Sequence, residues 1–94
     1  MLILVIYDIS DNRNRSKLIK KLQHFGLHRI QKSGFSGNLS SDQREELEET
    51  LNDYLSGTKD SIYVVPICNR CKQLARIFSE GKTELENNFN FKIV

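Results

Sequence analysis

Apolar residues fall along this chain in short bursts, and the rhythm of each burst predicts a different element. Leu2-Ile3-Leu4-Val5-Ile6-Tyr7 is an unbroken run of β-favouring residues without polar alternation. That pattern predicts a strand covered on both faces. Ser10 or Asp11 can cap the helix that follows, in which Leu18, Ile19, Leu22 and Phe25 fall on one apolar stripe. Gly26 stands where such a helix stops. Residues 27–39 form a second strand region in which Leu27, Arg29 and Gln31 alternate with His28, Ile30 and Lys32. Ser33-Gly34 marks a bend or bulge, and residues 35–39 resume as a third strand. Ser40 with Gln43 has the spacing of a capping box. Leu47, Leu51, Tyr54 and Leu55 then give the apolar stripe of a second helix, ended by Ser56-Gly57. Residues 61–67 read as a fourth strand, with Pro66 demanding an edge or an end. Residues 69–80 predict a short third helix with Leu74, Ile77 and Phe78 inward, stopped by Gly81. A polar connector over 82–88 and an alternating segment over 89–94 complete the chain.

The order strand, helix, strand, strand, helix, strand is the split βαβ pattern. It predicts an α+β, ferredoxin-like βαββαβ fold: a four-stranded antiparallel sheet with two helices on one face, extended by a C-terminal helix and strand. The 94 residues suit a single domain, residues 1–94. A chain this short buries only about 60–65% of its unfolded surface, and one sheet face is left open, so a homodimer stacked sheet against sheet is the simplest way to cover it.

Composition narrows the class. The chain is 38% hydrophobic and 28% charged, with one Pro and no Trp, and no apolar stretch approaches the roughly 20 residues that span a bilayer. No membrane association is expected. The N-terminal apolar run lacks a basic flank and runs straight into Asp8, unlike a signal peptide. With two Cys, the expected setting is a reduced cytoplasm.

The net charge of +2 conceals a segregation. Residues 1–39 carry seven Lys/Arg against two Asp, whereas residues 40–60 carry seven acidic residues against two basic ones. Two readings follow. Either the basic segment forms a face that attracts phosphate, or oppositely charged helix faces attract each other and stabilise the fold.

The candidate chemistry centres on Asp8, a lone carboxylate where the first strand ends, followed by Arg13, Arg15 and Lys17. Mg²⁺ prefers oxygen ligands and keeps most of its waters, so one or two carboxylates plus substrate phosphates suffice. A two-fold axis near the end of strand one would bring a second Asp8 to the same cation. The alternative is that Asp8 caps the helix or satisfies loop N–H groups. Arg13, Arg15 and Lys17, spaced by two, cannot share one helix face; they are candidate phosphate contacts or a solvated helix start. Arg29 on the second strand needs a rim position or an anion partner. Tyr7 and Phe35 read as core rather than as base-stacking platforms. Cys68-Asn69-Arg70-Cys71 is a single CxxC, weak support for zinc or redox chemistry, and half-buried cysteines at a helix start are expected. His24 and His28 straddle Gly26 and read as no metal pair. No Ser/His/Asp order, glycine-rich phosphate loop or HExxH is present, and no organic cofactor is implied.

Taken together, Val5-Ile6-Tyr7-Asp8-Ile9-Ser10, Arg15, the stretch from Leu18 to Gly26, the segment from Arg29 to Gly37, and Asp60-Ser61-Ile62-Tyr63 resemble the small CRISPR-associated endonuclease family, the second of the two near-universal spacer-acquisition proteins. The resemblance covers most of the chain. It implies a ferredoxin-like homodimer with Asp8 as the catalytic acid and Mg²⁺ ligand, one from each subunit, with Mn²⁺ as a substitute. It implies metal-dependent cleavage of single-stranded RNA or double-stranded DNA, or a scaffold role that holds DNA beside the CRISPR integrase subunit. Tyr7, Arg15, Arg29 and Phe35 match positions that shape the family's active region, and Lys17 falls where some members carry Arg. The C-terminal segment, residues 82–94, would pair with the other subunit. A small toxin ribonuclease is a third reading, because some such toxins resemble this family. One position departs from the pattern: Gly34 stands where a β-branched residue is usual.

Overall fold

A computed structural model describes residues 1–80 and the backbone of residues 92–93. The elements are β1 (Leu2–Asp8), α1 (Asn12–His24), β2 (His28–Gln31), β3 (Gly34–Asn38), α2 (Ser41–Leu51), β4 (Ser61–Ile67), α3 (Asn69–Leu74), β5 (Arg76–Ile77) and β6 (Lys92–Ile93). The main sheet is four-stranded, in the order β2-β3-β1-β4. Every neighbouring pair in it is antiparallel. This is the α+β, ferredoxin-like architecture the pattern predicts.

The apolar run of β1 is explained by its place. It lies between β3 and β4, bonded on both edges. Its odd positions Ile3, Val5 and Tyr7 are buried with Leu18 and Leu22 of α1 and Leu47 and Leu51 of α2. Its even positions differ along the strand. Leu2 packs with Ile67, Ala75 and Ile77, while Ile6 is 44% exposed and Asp8 is exposed. The strand is therefore covered by helices on one face only, not on both. With Tyr63 and Val65 of β4, which pair with Ile6 and Leu4, Ile6 leaves an exposed apolar strip. Pro66 is tolerated because β4 is an edge strand.

The helix ends follow their local chemistry. Asp11 is the α1 cap, its carboxylate accepting from the Asn14 N–H at 3.0 Å. At the other end, Gly26 takes φ +85°, and the Gly26 and Leu27 N–H groups return to Gln23 and Leu22. Ser40 and Gln43 form both bonds of the capping box on α2. α2 is shorter than its apolar stripe suggests: a 3₁₀ turn over Asn52–Tyr54 follows, which rotates Leu55 out to solvent.

The third helix also differs from expectation. It ends at Leu74, since Ala75 adopts extended ψ 145° and Arg76–Ile77 pairs in parallel with Lys92–Ile93. Leu74 and Phe78 are consequently exposed, and only Ile77 turns inward, onto Leu2. The stop at Gly81, the connector 82–88 and the side chains of 89–94 lie outside the described residues. Gly34 leaves β3 intact: it pairs with Ile6 on one side and Gln31 on the other, beside a bulge between Arg29 and Gln31, and Phe35 is fully buried. No ion pair joins α1 to α2 among the described residues; Arg44 and Glu48 pair within α2 at 3.6 Å. The opposite charges of the two helices are thus not consumed in direct contacts between them.

Two glycines of β3 make a stability test. A Cβ on Gly37 would meet Leu27 Cδ2 at 2.6 Å and the Leu27 Cα at 3.2 Å, whereas one on Gly34 would meet nothing closer than 3.5 Å. Gly37→Ala is expected to lower stability by about 1–3 kcal/mol, the usual cost of overpacking. Gly34→Ala is expected to stay within about 0.5 kcal/mol. Urea unfolding of both variants at one protein concentration checks the contrast.

Candidate active site

The open end of β1, the start of α1 and the β2–β3 turn meet around a cleft of about 310 Å³ lined by Asp8, Ile9, Arg15, Ile19, Arg29, Lys32 and Ser33. Backbone pairing brings them together. The Tyr7 N–H donates to the Ser33 carbonyl at 3.0 Å. The buried Tyr7 ring sends its hydroxyl to the Lys32 carbonyl at 3.2 Å. Tyr7 thus anchors the β2–β3 turn, with its ring 6.3 Å from Phe35. Arg29 lies directly across from Phe35 in the β2–β3 register, and its guanidinium sits 5.3 Å from the Phe35 ring centre. Such a contact orients a cation without neutralising it.

Arg15 is also held without a counter-charge. Its guanidinium donates to the Ile9 carbonyl at 2.9 Å and to the Asn12 side-chain oxygen. Neither acceptor is ionised, and the remaining N–H donors of the fork stay available.

Three aspartates lie near the end of β1, and the structure gives them different tasks. Asp11 caps α1. Asp60 accepts from the N–H and hydroxyl of Ser10 and of Ser56 and from the Gly57 N–H, at 2.9–3.2 Å. These bonds, led by the Ser56 and Ser10 backbone N–H groups, hold its carboxyl well below the usual carboxylate range. Asp8 alone has no hydrogen-bond or ion-pair partner for its carboxylate among the described residues. The capping alternative for Asp8 therefore fails, because Asp11 fills that place.

Of the residues singled out in the sequence, Asp8, Arg15 and Arg29 meet in the cleft, and Tyr7 and Phe35 support it from the core. Arg13 does not line it, being two residues, and so more than half a turn, from Arg15 on α1. Lys17 lies on another flank of the helix, in a shallow groove with Lys20, Lys21, His24 and Tyr54. Lys32 and Ser33 complete the cleft although sequence reasoning did not choose them; the signal was their place in the turn that faces the end of β1. Cys68 and Cys71 are both exposed, not half-buried, at the opposite end of β4 from the strand partner of Asp8. The Cys71 N–H and thiol pull the Cys68 thiol down, and the same contact pushes Cys71 up.

The donor set suits a hard cation held through one carboxylate, water and phosphate. No group of three or more His, Cys, Asp or Glu converges among the described residues, which a soft or fully caged metal would need. The cleft also holds three cations, Arg15, Arg29 and Lys32, whose N–H groups can donate to phosphate oxygens.

Comparison with known proteins gives the arrangement its context. The family model of the CRISPR-associated protein Cas2 matches residues 1–74. The chain belongs to the Cas2 family. Similar Cas2 relatives include the CRISPR-associated endoribonuclease Cas2 1 of Archaeoglobus fulgidus, 41% identical over 90% of each chain. The CRISPR-associated endoribonuclease Cas2 of Korarchaeum cryptofilum is 42% identical over 85% of this chain and 86% of its own. A Thermoproteus tenax relative, 34% identical over 74% of this chain and 26% of its own, is a Cas1/Cas2 endonuclease fusion. Among solved structures, a Cas2 crystal structure superposes with TM-score 0.66 at 29% identity, covering 89% of this chain and 90% of the other. Membership of Cas2 sets aside the toxin reading. Among the described residues no helix is long and apolar enough to cross a membrane.

The Asp60 network has a pH signature. Because its folded-state pKa is depressed, the stability it contributes is complete above the unfolded aspartate value of about 4 and fades as pH falls through the lower folded value. Carboxyl-carbon NMR is expected to show Asp60 still ionised at about pH 3. Titration of Asp60 in the ordinary range would mean that the network does not persist in solution.

Proposed function

We propose that this Cas2 chain is a divalent-metal-dependent endonuclease that cleaves phosphodiester bonds in RNA and serves spacer acquisition beside a Cas1-type integrase. The observation that carries it is the partnerless Asp8 carboxylate in a cleft that also holds Arg15, Arg29 and Lys32, the two arginines oriented by contacts that do not neutralise them. A buried or capping acid would be satisfied by the protein, whereas an acid left to solvent beside Arg15, Arg29 and Lys32 is suited to a cation and a phosphate together. The endoribonuclease names of the relatives support the substrate class. The fused relative supports the integrase partner.

Asp8 would hold Mg²⁺, or Mn²⁺ in its place, from the end of β1. When bound there, the cation supplies an activated water and offsets charge on the phosphoryl oxygens. Arg15 offers N–H donors to a phosphate from a fixed position, Arg29 does so from the Phe35 ring, and Lys32 adds a point charge at the turn. One carboxylate is a thin first shell. The exposed strip of Ile6, Tyr63 and Val65 supports a homodimer that stacks these faces. Asp8 shares the Ile6 face of β1, so stacking would bring a second Asp8 toward the first.

A second reading, a DNA-holding scaffold, is favoured by the groove of Lys17, Lys20, Lys21 and His24 on the other flank of α1. A polyanion track there need not cut anything. Exposed, free Cys68 and Cys71 accord with a reduced, cytoplasmic setting under either reading.

Asp8→Asn is expected to abolish Mg²⁺-dependent cleavage of single-stranded RNA while sedimentation shows an unchanged dimer. Cleavage equal to the parent protein would refute the assignment of Asp8. Arg29→Ala is expected to weaken nucleic-acid binding and to reduce the slope of log affinity against log salt by about one. Equal spacer acquisition by the Asp8→Asn protein and its parent would place the scaffold reading first.

A further inference from the structure

The loop that joins Asp8 to Arg15 is held by a residue distant in sequence but adjacent in space. Asp8 and Arg15 are joined by Ile9-Ser10-Asp11 and the first turn of α1. Ile9 is buried and its carbonyl receives Arg15. Asp11 caps the helix. Ser10 is tied by Asp60, fifty residues away in the chain: the Ser10 N–H and hydroxyl both reach Asp60 Oδ1, at 3.1 and 2.9 Å. The other oxygen, Oδ2, receives the Ser56 N–H and hydroxyl and the Gly57 N–H. One carboxylate therefore staples the β1–α1 loop to the turn that leads into β4. The fit is close, since a Cβ on Gly57 would stand 3.2 Å from the Ser10 hydroxyl and 3.3 Å from Asp60 Oδ1. β4 in turn pairs Ser61 with Asp8.

We propose that Asp60 is a positioning residue for the cleavage reaction: by clamping Ser10 it fixes where Asp8 and Arg15 stand relative to each other. This rests on the reading of Asp8 as the metal-binding acid. Asp60 is not the missing second metal ligand, although it lies close in the chain fold. Its two oxygens already accept five donors, about the full acceptor capacity of a carboxylate. An acid spent on backbone and hydroxyl donors acts through geometry, and small displacements at a reacting centre are costly, a shift of about 1 Å being worth roughly 100-fold in rate.

The full-length Asp60→Asn protein is the first test. The asparagine keeps the shape but turns an NH₂ toward groups that donate. Amide hydrogen exchange at Ser10 is expected to accelerate, and the single-turnover rate of RNA cleavage at saturating Mg²⁺ to fall about 10- to 100-fold. RNA affinity measured in EDTA is expected to fall less than the rate does. Leu2→Ala, a core change in a separate cluster at the opposite end of β1 from Asp8, serves as the control for lost stability and is expected to keep the rate at a matched distance below its melting point. Should Asp60→Asn fail to fold, Ser10→Ala removes the 2.9 Å hydroxyl bond alone and is expected to move exchange and rate in the same direction, by less. Faster exchange with an unchanged rate would overturn the proposal, as would a lost rate with unchanged exchange at Ser10. The Asp8→Asn protein, run in parallel, separates the two ideas. If it still cleaves, the metal-acid reading fails and the proposal with it; if only the Asp60 variants behave as the parent does, the positioning role fails alone.

Discussion

Everything at the cleft hangs from β1, a strand hydrogen-bonded along both edges with one row of side chains driven into the core. Burial of Ile3, Val5 and Tyr7 beneath the two helices fixes its register against β3 and β4. A one-residue slip would turn that row out to solvent, so the register is strongly specified. Because it is specified, the residue after Tyr7 must emerge at the sheet's end, opposite Ser61 and beside the β2–β3 turn. Tyr7 joins the two levels: its ring belongs to the core, while its N–H and hydroxyl hold Ser33 and Lys32 in place.

The second organising fact is how charge is distributed among partners. Asp11 and Asp60 are satisfied by N–H and O–H donors and do structural work. Arg29 is oriented by an aromatic ring, and Arg15 by a carbonyl and an amide oxygen. None of these contacts neutralises a cation with an anion. A fold seeking only stability would pair Arg15 with Asp8, its neighbour in the cleft. Keeping the two apart, with the acid left to solvent, leaves the acid open to a cation and the arginine open to an anion.

Much of this was legible in the chain. The capping box at Ser40 and the position of Gly26 each have one physical reading, and the structure follows them; the unbroken run over residues 2–7 gives the strand, but its lack of alternation does not reveal that only one face is covered. The helix ends over 52–55 and 74–78 were harder. There the apolar spacing is satisfied equally by a helix and by the irregular backbone that forms, and the outcome depends on distant partners: a turn before β4, and Lys92–Ile93 beside Arg76–Ile77. The cleft was half legible. Asp8, Arg15 and Arg29 announce themselves as charges where a strand or helix leaves few neighbours. Lys32 and Ser33 do not, because their role comes from the Tyr7 bonds across the sheet. Helical rotation likewise separates Arg13 and Lys17 from Arg15 despite their closeness in sequence.

The remaining tension is the single carboxylate, and it is tied to the other unfinished feature of the subunit. A lone acid is a weak ligand for Mg²⁺, and an exposed strip made by Ile6, Tyr63 and Val65 is a poor end state for a small domain with a thin core. The two deficits share a strand. Ile6 and Asp8 project from the same face of β1, two residues apart, so whatever covers the first also approaches the second. A partner of unrelated shape would bury the strip and leave the acid alone. A second copy would bury the strip and bring a matching acid, at the cost of placing two carboxylates near each other. A divalent cation between them would relieve that repulsion. On this view the open face and the isolated Asp8 are two aspects of one incomplete site.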